Sequence, residues 1–412
     1  MSYRLLNSER RIYLREDAEE PLREIRKIIF DFDGVLAQTS QSYRQTIRKV
    51  VDYYFLEILG LEGEKGKLAT LRDIQKFKDT GLYNNDWKLS YGLISYYINL
   101  ILRKLEQKNA LQNFTKQFSG IQFSDVQSFI QNLKKVGDFL RRIGISGADL
   151  AKLKDNNIVG LDLFLAQSIL EKPQPIEESL VGVDPEVIDD KERRVKMLVP
   201  YDLEKPDLLK RLFEETYLGK ELFNKIYDVP SFFNSDASLI DIEEFIPTKE
   251  TLNMLRRKFG KFGIYSGRPR PQGMYILEKF GYTGYFDEKE SVFLGDLLRS
   301  EEEMEKLGKP DPTLFIELIE KTVENGTGVV YVGDGIADAI MVEKAKKRGL
   351  ESLSFLGVVS SSQDSNTLFN EYSKHGADAV VTDVNDIPYL FTSLGGSVWN
   401  EKSRGYKKNH RS

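Results

Sequence analysis

The segment KIIFDFDGVLAQTS (Lys27–Ser40) drives Lys-Ile-Ile-Phe toward a core and then ends in Asp31, Asp33 and Gly34. A short, unalternating, β-branched run that stops at a polar residue reads as a strand buried on both faces of a parallel sheet. Two carboxylates on alternate positions at its end repel each other unless a cation or a proton sits between them. The same texture recurs as FGIY before Ser266, VFLG before Asp296, VVYVG before Asp334, SFLGVV (354–359) and DAVVTD (378–383).

From residue 250 onward, helical patterns separate these runs: TLNMLRRKFG, PQGMYILEKFG, PTLFIELIEKTVENG and IADAIMVEKAKKRG, several closing on Gly. Strand and helix in alternation predict an α/β fold, doubly wound around a mainly parallel, Rossmann-like sheet. Between the first strand and the second the texture is helical instead. Tyr43, Ile47, Val50, Tyr54 and Ile58 recur at spacings of three and four, and PDLLKRLFEETYLGKELFNKIYD continues the pattern. The expected organisation is an α/β domain from 1–39 and 246–396, a large helical domain inserted at 40–245 just after the first strand, and a basic, loose tail at 397–412. Within the insertion, 172–206 is rich in Pro and acid and reads as connecting loop.

Composition narrows the chemistry. There is no cysteine, and the two histidines are His375 and His410, so thiolate catalysis, a Ser-His-Asp triad and a Cys- or His-rich metal site are set aside. His375 reads as a loop residue. Catalysis must run on carboxylates, Lys, Arg and hydroxyls. A net charge of −5 predicts no nucleic-acid partner, although the basic tail could make an electrostatic contact. The charged start MSYRLLNSERRIYLRED lacks a signal-peptide core, and YGLISYYINLIL (91–102) is too short for a bilayer span. A cytoplasmic protein without a membrane partner is expected; nothing in the sequence specifies an oligomeric state.

Ligands of open α/β sheets bind beyond the carboxyl ends of the strands, where four signals converge. In DFDG, Gly34 lets the chain turn away from Asp31 and Asp33. One carboxylate can attack phosphorus while a second protonates the leaving oxygen; the bland reading is an Asx-type turn. In GIYSGRPR, Ser266 and the N–H groups of Gly267 and Arg268 form an anion-binding corner, and Arg268 and Arg270 could pair with phosphate; the bland reading is a strand-to-helix turn. In GKPDP, Lys309 supplies positive charge, while Asp311 reads as a helix cap. In YVGDGIADAI, Asp334 and Asp338 share one face of a helix start, an oxygen-only set of the kind Mg2+ prefers; acids at a helix start are also common for structural reasons.

In this order and at these strand ends, DFDGVL, YSGRP, GKPDP and VGDGIADA resemble the four motifs of the haloacid-dehalogenase-like hydrolase superfamily, over roughly 25–40 and 246–390. The resemblance implies Asp31 as nucleophile and Asp33 as general acid/base, with Ser266 and Lys309 on the phosphate. It also implies Mg2+ held by Asp31, the Asp33 backbone carbonyl and Asp334, with Asp338 as ligand or behind them. Asp33 favours the phosphatase branch over the dehalogenases, and Phe32 stands where the family's ATP-driven pumps carry Lys. A Mg2+-dependent hydrolase of small phosphorylated metabolites is expected, with a phosphomutase using the same residues, or a silent phosphate-binding protein, as alternatives.

The helical insertion looks like the cap that relatives carry between their first and second motifs, but at about two hundred residues it is longer than usual. In its stretch FKDTGLYNNDWKLSY, Asn84, Asn85, Asp86 and Trp87 are candidate substrate contacts, as is Arg270 outside it. The bland alternative makes Asn85 or Asp86 a helix cap and Trp87 a core residue. Asp296 and Arg299, after the third strand, are weaker candidates.

Overall fold

The computed structural model of the chain describes residues 2–79, 86–118, 125–156, 208–233, 238–298, 301–360 and 364–395. They form two compact units, 1–40 with 243–412 and 41–242. The expected tail, the whole of the expected acidic loop (172–206), Asn84, Asn85 and Arg299 fall outside the described residues.

The first unit is built on strands β1 (Tyr3–Asn7), β2 (Ile12–Arg15), β3 (Ile25–Phe30), β4 (Ala37–Gln38), β5 (Glu244–Phe245), β6 (Phe262–Ser266), β7 (Phe286–Phe293), β8 (Gly328–Gly333), β9 (Leu353–Val358) and β10 (Ala379–Val381). Among the described residues the main sheet has the order β1-β2-β10-β9-β8-β3-β6-β7. From β10 to β7 every pairing is parallel, and β6, β8, β9 and β10 are buried at every residue. That is the two-faced burial their unalternating sequences predict, and the fold is the α/β class expected. The register sets Phe30 beside Val332 and Ile264, and Ser266 beside Phe293. The residues following β3, β6 and β8 therefore emerge at one sheet edge, and strand order reverses at β3, the usual binding position of such sheets.

Helices Lys249–Phe259, Arg270–Phe280, Thr313–Thr322, Ile336–Lys347 and Ser365–Lys374 separate the strands. Their ends follow local chemistry: Thr248 accepts from Thr251 N, and Gly260 and Gly281 close two of them.

Three features differ from the sequence expectation. The β1–β2 hairpin extends the sheet antiparallel past β10. β7 begins six residues before VFLG and stops at Phe293, so Leu294–Leu297 is a single helical turn and Asp296 lies within it instead of at a strand end. Gly295 allows this turn, because a Cβ there would sit 2.7 Å from Pro269 N and 3.0 Å from Gly267 O. Finally, Glu243–Phe245 belongs with the α/β unit, since β5 pairs antiparallel with β4.

The second unit is helical throughout its described part. Helix Ser40–Asp52 runs into a π-helical stretch, Tyr53–Ile58, and is followed by Leu71–Asp79, Asp86–Gln107, Leu111–Phe118, Val126–Arg142, Gly147–Asn156 and Leu208–Tyr227. Ile47, Val50, Tyr54 and Ile58 are all buried, as their spacing predicts. Glu215, fully buried, is well partnered inside it, accepting from Arg211 Nε (2.8 Å) and from Phe232 N and Phe233 N (3.0 and 2.6 Å). No helix among the described residues is long and apolar enough to cross a membrane.

One buried acid fastens the hairpin to the sheet. Asp378, at the start of β10, accepts from Arg15 Nη2 (2.9 Å), Lys346 Nζ (2.9 Å) and Phe355 N (2.8 Å). Asp378→Ala leaves two cations and a strand amide without their acceptor, and urea denaturation should show a loss of about 3 kcal/mol. A loss under about 0.5 kcal/mol would mean that the hairpin is held by its pairing with β10 and its apolar face without help from this acid.

Candidate active site

Asp31 is the first residue past β3. Its Oδ1 accepts from Phe32 N (2.7 Å) and meets Lys309 Nζ at 2.8 Å. Lys309 also lies 2.9 Å from Asp338 Oδ1 and donates to the Tyr331 hydroxyl at 2.7 Å. The three N–H bonds of an ammonium match these three acceptors. Tyr331 comes from the middle of β8, and its hydroxyl lies 3.1 Å from the Tyr265 carbonyl and 3.2 Å from Asp338 Oδ1. Asp338 Oδ2 accepts from Gly335 N at 3.0 Å, so this acid caps its own helix while facing the cluster.

Asp31, Asp334 and Asp338 each offer an oxygen within 4.8 Å of the others. The approach depends on Gly34: its φ is +76°, and a Cβ there would lie 1.8 Å from Asp334 Oδ2. Burial raises the Asp31 carboxyl well above its usual range; Lys309 opposes this and Asp338 and Asp334 reinforce it. Burial alone would lower the Lys309 ammonium, but Asp31 and Asp338 outweigh it and raise it. One ammonium therefore does not balance three carboxylates. An oxygen-only set with excess negative charge fits a hard divalent cation that keeps some of its water ligands. Asp31, Asp334 and Asp338 are the residues able to hold one.

Asp33 is arranged differently. Arg268 donates to its Oδ1 from Nε (2.9 Å) and approaches with Nη2 (2.7 Å), while Oδ2 takes no hydrogen bond among the described residues. The side chain is 35% exposed, more open than those of Asp31 and Asp338. Removal from water raises its carboxyl above the usual value, Arg268 opposing and Glu243 adding.

Of the remaining residues picked from the sequence, Ser266 ends β6, buried, its Oγ accepting from Arg268 N at 3.2 Å, with Gly267 next in the turn. Arg268, picked as a phosphate ligand, has its guanidinium between Asp33 and Glu243 instead. Arg270 is drawn to β7, donating to Ser291 O (3.2 Å), and its own N–H donates to Asp296 Oδ1 (3.0 Å), so Asp296 caps that helix. Asp311 caps Thr313 N (2.9 Å), and His375 meets Glu343 at 2.7 Å, both structural as expected. Asp86, in the helical unit, starts helix Asp86–Gln107 and pairs with Lys78 at 2.8 Å; Trp87 follows it in the helix. Sequence reasoning missed Tyr331 and Glu243. Tyr331 had a signal, a hydroxyl inside an otherwise apolar strand; Glu243 had none.

The residues after β3 and β8 bring a carboxylate cluster, met by a buried lysine, to one edge of a parallel α/β sheet, where the ligands of such sheets bind. The haloacid dehalogenase-like hydrolase family model matches residues 25–346. The chain belongs to that family. An X-ray structure solved as a Northeast Structural Genomics Consortium target shares the fold, with a TM-score of 0.61 at 18% identity over 90% of this chain and 99% of the other. Phosphatase Tt82 from Thermococcus thioreducens aligns at 19% identity over 84% of this chain and 98% of its own, with a TM-score of 0.42. A 70-residue stretch, 17% of this chain, is 34% identical to an imidazoleglycerol-phosphate dehydratase of Phytophthora nicotianae. The match spans 13% of that curated relative's length.

Lys309→Met would leave Asp31 and Asp338 with no buried cation. Stability at neutral pH should fall by about 3–5 kcal/mol in urea denaturation, with millimolar Mg2+ restoring part of it. A loss below about 1 kcal/mol would show that the ammonium does not hold the cluster together.

Proposed function

We propose that the protein is a Mg2+-dependent phosphomonoester hydrolase that works through an aspartyl-phosphate on Asp31 and acts on a small phosphorylated metabolite. The observation that carries this reading is that Asp31 and Asp33 are each anchored through Oδ1, one by Lys309 and Phe32 N, the other by Arg268. That each acid is anchored through one oxygen supports an attacking role for Asp31 and a proton-transfer role for Asp33.

In the first step an Asp31 oxygen attacks phosphorus and the bond to the leaving oxygen breaks, Asp33 supplying the proton that oxygen needs. In the second, Asp33 takes a proton from water, the water oxygen attacks phosphorus, and Asp31 is regenerated as inorganic phosphate departs. Ser266 Oγ, the Gly267 amide and Lys309 are assigned to the phosphate oxygens. A Mg2+ ion held by Asp31 and Asp334, with Asp338 beside them, would add charge stabilisation of the transferring group. Selection of the leaving group is assigned to the helical unit, the family's usual place for it.

Phosphate release from a panel of phosphorylated metabolites and one aryl phosphate should require Mg2+ and fall at least about 100-fold with chelator. Asp31→Asn should lower kcat on the order of 10^4-fold while leaving the unfolding midpoint close to that of the wild type. Equal turnover by that variant would remove Asp31 as the nucleophile. Transfer of phosphate between two positions of a sugar, without net release, would replace hydrolase by mutase.

A further inference from the structure

The guanidinium that meets Asp33 does not face open space. The Arg268 side chain is fully buried, as is that of Glu243. Nη1 lies 3.0 Å from Glu243 Oε2 and Nη2 lies 3.3 Å from Oε1, a two-point fork. The opposite edge of the same guanidinium, Nε and Nη2, grips Asp33 Oδ1. The Phe32 ring lies 5.0 Å from its central carbon. A planar fork gripped on two edges and faced by a ring has one orientation, which a lysine could not reproduce.

Glu243 is itself held by backbone. It directly precedes β5, whose residues Glu244 and Phe245 pair with Gln38 and Ala37, and Ile246 N donates to Leu36 O at 2.8 Å. The partner strand closes the turn that carries Asp33: Gly34 N donates to Ala37 O, and Leu36 N and Ala37 N donate to Phe32 O, all at 2.8–2.9 Å. Asp33 is therefore fixed twice, by the backbone of its own turn and by a side-chain relay ending on the strand paired with that turn.

We infer that Glu243 and Arg268 are positioning residues for Asp33: Glu243 fixes the Arg268 guanidinium, and Arg268 holds Asp33 by one oxygen so that the other meets the leaving group and then water. Arg268 is accordingly not a phosphate ligand. Glu243 matters to the reaction without touching the reacting atoms. This inference rests on the phosphatase reading above, because it gives Asp33 the acid/base role.

The test compares wild type, Glu243→Gln, Glu243→Asp and Arg268→Lys in the full-length protein with Mg2+. It measures kcat and KM for an alkyl phosphate and for p-nitrophenyl phosphate, together with inhibition by inorganic phosphate. Glu243→Gln should lower kcat on the alkyl phosphate about 10- to 100-fold, the cost of a misplaced catalytic group. KM and phosphate inhibition should stay within about twofold. With p-nitrophenyl phosphate, whose leaving group needs no proton, a burst of nitrophenolate should precede a slow steady state, since only the water step still needs Asp33. Glu243→Asp should recover part of kcat. Arg268→Lys, which keeps the charge and loses the fork, should show the same kcat-against-KM split, and it serves if Glu243→Gln fails to fold. Wild-type kcat in Glu243→Gln would overturn the inference, as would a loss confined to KM and phosphate inhibition, which would make Arg268 a phosphate ligand. A wild type inactive on every phosphate would overturn the phosphatase reading and this inference with it.

Discussion

A single buried ammonium organises the catalytic edge. Lys309 reaches Asp31, Asp338 and Tyr331 at 2.7–2.9 Å, and those partners come from the ends or middle of different elements: the residue after β3, the first turn of helix Ile336–Lys347, and β8. Three carboxylates with oxygens within 4.8 Å, two of them buried, would otherwise repel strongly. The lysine relieves part of that repulsion and orients Asp31. The remainder would favour a divalent cation, so folding stability and the proposed metal affinity would draw on the same charges, and Gly34 leaves room for Asp334 to approach.

The two aspartates of the DFDG segment are served by separate cations with separate tasks. Lys309 answers Asp31 inside the carboxylate cluster, whereas Arg268 answers Asp33 and is itself balanced by Glu243. A buried fork between two carboxylates confers direction as well as charge. Without Glu243, the desolvated guanidinium would have one acid fewer to balance it, and Asp33 would no longer be held from a fixed point.

Much of this was legible in the sequence, and for a physical reason. Strands buried on both faces must be apolar at every position, so KIIF, FGIY and VVYVG stood out, and the acids, serine and lysine beyond them carried a recognisable order. The β1–β2 hairpin did not stand out, because Tyr3–Asn7 has no buried residue and the hairpin joins the sheet through β10 and Asp378, more than three hundred residues away. The start of β7 was hidden for a related reason: FDEKES lies at the edge of the sheet and carries exposed charges. An arginine after a serine at a strand end looks like an anion ligand from sequence alone, whereas the Arg268 guanidinium lies between Asp33 and Glu243. Glu243 has no local pattern; only the pairing of β5 with β4 brings it there.

The central claim is that Asp31 becomes covalently phosphorylated within this cluster. Acid-quenched turnover with Mg2+, followed by mass spectrometry of the peptide containing Asp31, tests it most directly. One phosphoryl group on Asp31, present during turnover and absent with chelator, is the predicted result. Turnover with the adduct on another residue, or with no adduct under conditions that trap acyl phosphates, would contradict it.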